Sequence, residues 1–175
     1  MNTISEEYLE MQKELHLNPH YGTSSIALAH NVKQIFEQEN FSSISDYGAG
    51  KKYLQSKLVE LGLKNFLYYP YDPAFPEYGE PKPADLVCCI DVLEHIEPIY
   101  IENVLDQLKL ITLKLGFFTI ATEPARKFLR DGRNAHLILK PSSWWLQLMC
   151  SRFEIEHFQK IPSSYILLVK PKDTL

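Results

Sequence analysis

Ser42-Ser-Ile-Ser-Asp46-Tyr-Gly48-Ala-Gly50-Lys51 is the most informative segment of the chain, because a strand-like run ends in an acidic residue and two glycines follow it. Residues 51–61 then have a helical pattern. A sharp turn from strand to helix favours glycine, since a residue without a Cβ lets the backbone approach a ligand closely. The Asp46 carboxylate can accept hydrogen bonds from the amine or hydroxyl groups of such a ligand. The segment therefore predicts a binding turn for a nucleotide-type ligand.

Strand-like and helix-like segments alternate along most of the chain. Apolar runs predict strands over residues 42–46, 65–71, 84–90 and 116–121, and helical patterns predict helices over residues 51–61, 98–114 and 141–150. This alternation is typical of a doubly wound α/β fold with a parallel sheet. Two further strands, over residues 153–159 and 164–169, predict an antiparallel hairpin at one edge.

The length of 175 residues predicts one domain with a substantial core. We predict a single domain over residues 1–175, in which residues 1–40 form a helical cap and residues 42–175 form the sheet-containing core. Amphipathic patterns over residues 4–16 and 23–36 predict the two helices of the cap.

Composition bounds the class of function. The net charge is −4, so strong nucleic-acid binding is not expected, although a local basic patch stays open. No apolar run approaches the length of a membrane span, and the first residues lack the layout of a signal peptide. The three cysteines have no metal-binding spacing, and the adjacent pair Cys88 and Cys89 is expected to point to opposite faces of a strand. These features together predict a cytoplasmic protein with reduced thiols and no membrane partner.

Polar residues follow four of the predicted strands. The glycine turn follows the first strand, Asp72 the second, residues 91–95 the third, and Thr122 and Glu123 the fourth. Ligands of doubly wound sheets bind outside the carboxyl ends of the strands, where the strand order reverses. We therefore predict one ligand site at this rim of the sheet.

These segments resemble the motifs of the class I S-adenosylmethionine-dependent methyltransferases. Residues 46–50, Asp-Tyr-Gly-Ala-Gly, are similar to the first motif of that family. Residues 84–87, Ala-Asp-Leu-Val, and residues 91–96, Asp-Val-Leu-Glu-His-Ile, are similar to its "DLV … VLEHI" segment in type 11 and type 12 members. The resemblance covers residues 42–122. It implies a Rossmann-like fold and S-adenosyl-L-methionine as the cofactor.

The resemblance also implies the positions that contact the cofactor. They are Asp46, Gly48, Gly50, Tyr71, Asp72 and Asp91. Asp72 stands where the family's acidic residue after the second strand holds the ribose hydroxyls. The methionine part would be covered by His20 or Tyr21 from the cap.

The sequence departs from the family pattern in two ways. Lys52 replaces the third glycine of the usual turn. The segment between Asp72 and Asp85 is too short for the family's usual helix and strand, so we predict a sheet shortened between strands two and four. The adenine pocket would then come from loop residues, with Tyr71, Pro73 and Phe75 as candidates.

Methyl transfer from a sulfonium is an in-line displacement, so its rate depends mainly on how the protein positions the reactants. A general base is needed only if the acceptor arrives protonated, and the candidates are Glu94, His95 and His136. We expect His95 at the start of a helix, where the helix dipole keeps the imidazole neutral. The alternative is that His95 only caps that helix or orients a loop.

Residues 123–136 contain four cations within eight residues, which is unusual in an acidic protein. We predict a lid in which Arg126, Arg130 or Arg133 binds an anionic acceptor, either a small molecule or the end of a polymer. A solvated loop is the alternative. One of the two neighbouring tryptophans is expected in the core, and we assign Trp144 to the acceptor pocket as a stacking surface.

Three other functions stay open. Residues 91–95, Asp-Val-Leu-Glu-His, with the distant His136, are similar to the Glu-x-x-Glu-His pattern and distant histidine of small-RNA 3′-terminal 2′-O-methyltransferases. That resemblance implies a divalent metal on Asp91, Glu94, His95 and His136, against our first expectation of no metal. The second alternative is an S-adenosylmethionine-binding protein without activity. The third, a nicotinamide-dependent reductase, is disfavoured because Tyr53 replaces the last glycine of Gly-x-Gly-x-x-Gly.

Overall fold

The computed structural model describes residues 2–173 and contains a single mixed sheet. The helices are α1 (Glu6–His16), α2 (Ser24–Gln38), α3 (Tyr53–Glu60), α4 (Ile101–Ile111) and α5 (Ser142–Cys150). The strands are β1 (Ser43–Tyr47), β2 (Leu67–Tyr71), β3 (Ala84–Ile90), β4 (Thr112–Ala121), β5 (Phe153–Ile161) and β6 (Ser164–Pro171). Within these residues, no helix has both the length and the apolar content needed to cross a bilayer.

The sheet has the order β2-β1-β3-β4-β6-β5. Neighbouring strands from β2 to β4 are parallel, whereas β6 runs antiparallel to both β4 and β5. This confirms the predicted Rossmann-like, mostly parallel sheet with an antiparallel C-terminal hairpin. The predicted shortening is also confirmed, because only a loop with one 3-10 turn, Pro76–Tyr78, connects β2 to β3. The strand order reverses between β1 and β3, which places the expected ligand site at their carboxyl ends.

Helices cover both faces of the sheet, and β3 shows the consequence most clearly. All seven of its residues are buried. Val87 and Cys89 pack in the cluster that includes α4 and α5, whereas Cys88 and Ile90 pack in the cluster that includes α2 and α3. A strand covered on both faces needs a continuous apolar sequence rather than an alternating one. The opposite orientation of the two adjacent cysteines is as predicted.

Several predicted boundaries are wrong by two residues or more, and two of them have a clear physical cause. The helix predicted to end at residue 114 ends at Ile111, because Thr112 is extended and pairs with Ala84 at the start of β4. Gly116 consequently lies inside β4, where a Cβ would come within 2.7 Å of the Phe118 and Val169 side chains. The strand predicted to start at residue 65 starts at Leu67, because Asn65 has a positive φ of 57°.

The two N-terminal helices have different surroundings. The buried residues of α2, Ala29, Val32 and Phe36, pack against the sheet together with α3. In contrast, α1 lies over the rim, where the Tyr8 hydroxyl donates to the carbonyl oxygen of His95 at 2.6 Å. Ser5, the residue that caps α1, donates from its backbone N–H and its hydroxyl to Glu97, both at 2.8 Å. Of the predicted cap, α1 is therefore the part that covers the rim.

Candidate active site

A cavity of about 410 Å³ lies at the carboxyl ends of the parallel strands, under α1. Its walls come from α1, the connection to α2, the turn after β1, the residues after β2 and β3, and the loop after β4. The volume falls within the range of small-molecule binding pockets.

The glycine turn after β1 forms one wall and is tied to the end of β2. The N–H of Gly48, which has a φ of 81°, donates to the carbonyl oxygen of Tyr71 at 2.8 Å. A Cβ on Gly48 would come within 2.3 Å of Val92, so the close packing of β1 against the segment after β3 requires glycine. The next glycine, Gly50, donates its N–H to Oδ2 of Asp72 at 2.9 Å. Lys52, at the third-glycine position, takes a left-handed conformation with a φ of 59°.

The Asp72 carboxylate is buried beside this turn. Oδ1 accepts the N–H of Ala74 at 2.9 Å, while Oδ2 accepts that of Gly50. Burial raises the pKa of Asp72, while the nearby His16, the two N–H donors and Lys51 act in the opposite direction. Each carboxylate oxygen has a further lone pair, so Asp72 can still accept hydrogen bonds from a ligand in the cavity.

Two more predicted carboxylates line the same cavity. Asp46 is buried and accepts a hydrogen bond from the Tyr68 hydroxyl, and burial raises the pKa of Asp46 to about 7. Asp91 has a φ of 52° and accepts a hydrogen bond from Oγ1 of Thr119 at 2.7 Å. With Asp72, three acidic groups therefore face the cavity from the ends of three neighbouring strands.

Tyr71 does not line the cavity, unlike the other five predicted cofactor contacts. Its ring packs against Tyr47 at a centroid distance of 4.8 Å, and its carbonyl oxygen holds the glycine turn. Of the other adenine-pocket candidates, Pro73 lines the cavity, whereas Phe75 lies behind His16 with ring centroids 5.0 Å apart.

His95 and His136 meet edge to face at the other end of the cavity, with ring centroids 4.7 Å apart. Nδ1 of His95 lies 2.8 Å from the carbonyl oxygen of Ala135, and Nδ1 of His136 lies 2.6 Å from that of Glu123. Because a carbonyl oxygen only accepts, Nδ1 is the donor in each ring, which leaves each Nε2 available to face the cavity.

The predicted environment of His95 is wrong. His95 ends a 3-10 turn, Leu93–His95, and α4 begins only at Ile101, so no helix dipole acts on it as expected. Burial and the neighbouring His136 instead lower the pKa of His95 to about 3. The imidazole is therefore neutral near pH 7, for a different reason from the one that the sequence suggested.

Glu94 is fully buried and does not line the cavity. Its Oε1 accepts the N–H of Ala121 at 2.9 Å, and its Oε2 has no hydrogen-bond partner within residues 2–173. Burial raises the pKa of Glu94. Glu94, His95 and His136 each offer one ligand atom within 4.8 Å of the others, and Asp91 is not part of this group.

The loop of residues 122–141 forms another part of the cavity wall. Arg126 and Lys127 line the cavity, but the other predicted arginines do not. Arg130 pairs with Glu14 at 2.6 Å, and Arg133 pairs with Asp131 at 2.6 Å. Their placement therefore does not support the predicted contact of Arg130 and Arg133 with an acceptor.

Trp144 also lies away from the cavity. Its ring packs edge to face against Trp145, with centroids 5.0 Å apart, at the margin of the α4 and α5 core. Trp145 is the fully buried member of the pair, as expected for one of the two. The cavity lining does not include Trp144, so the predicted stacking role is not supported either.

Sequence reasoning missed the polar side of α1. Tyr8, Gln12 and His16 line the cavity roof together with the predicted His20 and Tyr21. The Tyr21 hydroxyl donates to Gln12 at 3.2 Å, and Gln12 in turn donates to the Tyr8 hydroxyl at 2.6 Å. The signal was present, because the three α1 residues recur every four positions and therefore share one helix face.

The fold is shared with solved methyltransferases. The 1,6-didemethyltoxoflavin-N1-methyltransferase of Burkholderia thailandensis, solved with 1,6-didemethyltoxoflavin and S-adenosylhomocysteine, is 13% identical with a TM-score of 0.66. The alignment covers 99% of this chain and 92% of that one. DhpI, solved with S-adenosylhomocysteine, is 12% identical with a TM-score of 0.59, over 98% of this chain and 100% of its own.

A third likeness is to the N-methyltransferase NodS of Bradyrhizobium japonicum WM9, solved with S-adenosyl-L-homocysteine. It is 8% identical with a TM-score of 0.54, over 97% of this chain and 100% of NodS. No family model and no curated protein matches the sequence. At these identities the likenesses show a common Rossmann-like fold.

Proposed function

We propose that the protein is an S-adenosylmethionine-dependent methyltransferase with a negatively charged acceptor. One observation carries the proposal: Asp72 and the glycine turn are joined by a hydrogen bond and line one cavity at the point where the strand order reverses. That is where α/β folds of this type bind nucleotide ligands. The S-adenosylhomocysteine bound in the solved structures of the same fold supports the proposal.

The residues present fit an adenosyl donor. We define the donor wall as Asp46, Gly48, Gly50 and Asp72, which combine backbone without side chains and two carboxylates in the cavity lining. When bound, the donor supplies a methyl group on a positively charged sulfonium. A carboxylate of this wall attracts that charge in its ionised form, and Asp72 retains lone pairs for ribose hydroxyls.

His95 and His136 are placed to meet an acceptor once it has bound in the cavity. Nε2 of His95 can accept a hydrogen bond from an acceptor and so orient it, because its Nδ1 is held by a backbone carbonyl and its imidazole is neutral. A pKa of about 3 makes the same nitrogen a weak base, so the role that fits it is positioning rather than proton removal. His136 contacts the same ring and orients it. Glu94 is buried beneath them, so its role would be to support this pair rather than to meet the acceptor.

The proposal of a negatively charged acceptor depends on the cations that line the cavity. We define the acceptor wall as residues 122–141, from which Arg126 and Lys127 line the cavity. Cations on this wall and carboxylates on the donor wall would orient a cationic donor and an anionic acceptor toward each other. A free small molecule or the charged end of a polymer would both satisfy this arrangement.

A turnover screen tests the proposal. Purified protein is incubated with methyl-labelled S-adenosylmethionine and fractionated cell extract, and labelled products are identified by mass spectrometry. We expect S-adenosylhomocysteine and one methylated anionic product. Donor binding without turnover in any fraction would instead favour an inactive binding protein. Failure to bind the donor would exclude both the methyltransferase and the inactive binding protein.

A second candidate is a metal-assisted 2′-O-methyltransferase acting on RNA ends. It is favoured by the grouping of Glu94, His95 and His136 and by the unpartnered Oε2 of Glu94. A carboxylate and two imidazoles are a donor set that divalent transition metals accept. Calorimetry with Mn²⁺ tests it: binding should be lost in His136→Ala and kept in His157→Ala, a change on the exposed part of β5. Full activity after chelation would exclude this candidate.

A further inference from the structure

His16, in the last turn of α1, packs directly on the donor wall. A Cβ at Gly50 would lie 3.1 Å from Cε1 of His16, so the imidazole covers the glycine turn. The rings of Tyr21 and Phe75 meet His16 edge to face, each with a centroid distance of 5.0 Å. The imidazole is therefore held in place by contacts from three separate parts of the chain.

These packing contacts give the two ring nitrogens of His16 no hydrogen bond. Nδ1 is buried and has no hydrogen-bond partner in the part of the chain that the structure describes. Nε2 lies 3.9 Å from Oδ2 of Asp72, which is longer than a hydrogen bond. Buried polar atoms are nearly always paired with protein, water or a ligand, and His16 lines the cavity, so its ring nitrogens are free to pair with a group bound there.

The charge state of His16 restricts what that group can be. Burial lowers the pKa of His16, an effect that Lys51 strengthens and Asp72 opposes. A neutral imidazole has one N–H donor and one acceptor nitrogen. The carboxylate of Asp72, a short distance away, accepts hydrogen bonds in its ionised form. Together they match a group with adjacent hydroxyls, each of which both donates and accepts.

We propose that His16 and Asp72 together bind the ribose diol of the donor, an inference that rests on the function proposed above. One hydroxyl donates to Asp72, and the neighbouring hydroxyl pairs with a ring nitrogen of His16. His16 is then a positioning residue through which α1 closes over the ribose. It also makes the site selective for a ribonucleoside over its deoxy analogues.

Binding to three ligands tests this assignment. Calorimetry measures the affinity of S-adenosylhomocysteine and of its 2′-deoxy and 3′-deoxy analogues for the wild type and for His16→Phe. Phenylalanine keeps the edge contacts with Tyr21 and Phe75 but has no nitrogen. We expect His16→Phe to weaken S-adenosylhomocysteine binding about 5- to 10-fold, the effect of one lost hydrogen bond. The preference for the ribose over one deoxy analogue should fall by the same factor.

Two more variants keep the result interpretable. His16→Gln, which retains a donor and an acceptor, should recover part of the ribose preference. His30→Phe changes an exposed histidine of α2 that does not line this cavity, and should leave all affinities unchanged. Thermal unfolding of each variant shows whether the fold is intact.

The outcomes separate the two proposals. Suppose that the wild type binds S-adenosylhomocysteine and that His16→Phe prefers it over the 2′-deoxy and 3′-deoxy analogues as strongly as the wild type does. The assignment of His16 is then overturned, and the proposed function stands. If the wild type does not bind S-adenosylhomocysteine at all, the proposed function fails, and this inference fails with it.

Discussion

The donor wall and the acceptor wall line the same cavity, yet they are built in different ways. The donor wall lies at strand ends whose positions are set by the parallel register, and its residues bond to one another, as Gly50 does to Asp72. Apart from one bridge, Phe128 to Asn134, the acceptor wall lacks regular structure over residues 122–141. Its arginines pair largely with carboxylates. A polar residue fixed by a sheet therefore keeps its predicted place in the cavity more readily than a charge on a loop.

The largest expected effect is on stability, at two glycines that both have a positive φ. Gly48, on the donor wall, would place a Cβ 2.3 Å from Val92, whereas a Cβ added to Gly132, on the acceptor wall, would meet no atom within 4 Å. We expect Gly48→Ala to reduce the free energy of unfolding by about 2–4 kcal/mol, from backbone strain and overpacking. Gly132→Ala should cost only the strain, about 1–2 kcal/mol.

Urea unfolding of both glycine variants measures this difference. Adding Val92→Ala to Gly48→Ala should restore part of the lost stability, because it removes the atoms that the new Cβ meets. Equal losses at the two glycines would show that the packing of the donor wall is no tighter than that of the loop.

The next effect is on donor affinity. Asp72→Ala removes the carboxylate proposed to bind the ribose and frees the N–H groups of Gly50 and Ala74. We expect calorimetry with S-adenosylhomocysteine to show a loss of about 10- to 100-fold, typical of hydrogen bonds to a charged group. Asp131→Ala, a change of an acidic residue on the acceptor wall, is the matched control and should bind as the wild type does. Unchanged affinity in Asp72→Ala would remove Asp72 from the donor site.

A third prediction concerns pH. The pKa of Asp46 is about 7 in the folded protein, against an ordinary value of 3.8, because its carboxyl is buried. Between these values the folded state holds a proton that the unfolded state has lost, so stability falls as pH rises from about 4 to 7 and then levels off. Asp46→Asn removes this dependence. As pH rises from about 4 to 7, the unfolding free energy of Asp46→Asn should therefore rise relative to that of the wild type. The rise should be at most a few kcal/mol.

Urea unfolding at several pH values between 5 and 8 checks the Asp46 prediction. Asp72 and Glu94 also have raised pKa values, but both are present in the two proteins compared. A constant difference between Asp46→Asn and the wild type across the range would contradict the assigned pKa.

The smallest expected effect is on the acceptor wall. Arg126 lines the cavity, whereas Arg130 is half exposed and pairs with Glu14. We expect Arg126→Ala to raise the KM of the anionic acceptor about 3- to 10-fold, since one charged contact is lost. Arg130→Ala should leave that KM unchanged and reduce stability by at most about 1 kcal/mol, as for surface ion pairs. Steady-state kinetics with the acceptor identified by the turnover screen measures both KM values. Equal changes of KM in Arg126→Ala and Arg130→Ala would contradict the prediction.

The donor wall was predictable from the sequence because its information is local. The glycine turn and Asp72 each follow a strand within a few residues, as does Asp91 elsewhere in the cavity, and parallel strands bring their carboxyl ends to the same edge. The apolar run of β3 likewise predicted a strand that is buried on both faces. Tyr71 was the exception, since its ring packs against Tyr47 instead of lining the cavity.

The acceptor wall was less predictable because its contacts are not local. Arg130 and Glu14 are 116 residues apart in sequence, so their ion pair depends on how α1 lies over the loop. The low pKa of His95 has a similar origin, in burial and in its contact with His136. His16 was missed because the amphipathic pattern of α1 draws attention to its apolar stripe and not to the polar residues beside it.

The claim that an adenosyl donor binds between the glycine turn and Asp72 is tested most directly by a crystal structure of the wild-type protein grown with S-adenosylhomocysteine. The account predicts density for the nucleoside along the donor wall, with a ribose hydroxyl within hydrogen-bond distance of the Asp72 carboxylate. A cavity without ligand density at saturating S-adenosylhomocysteine, or a nucleoside bound elsewhere on the protein, would contradict it.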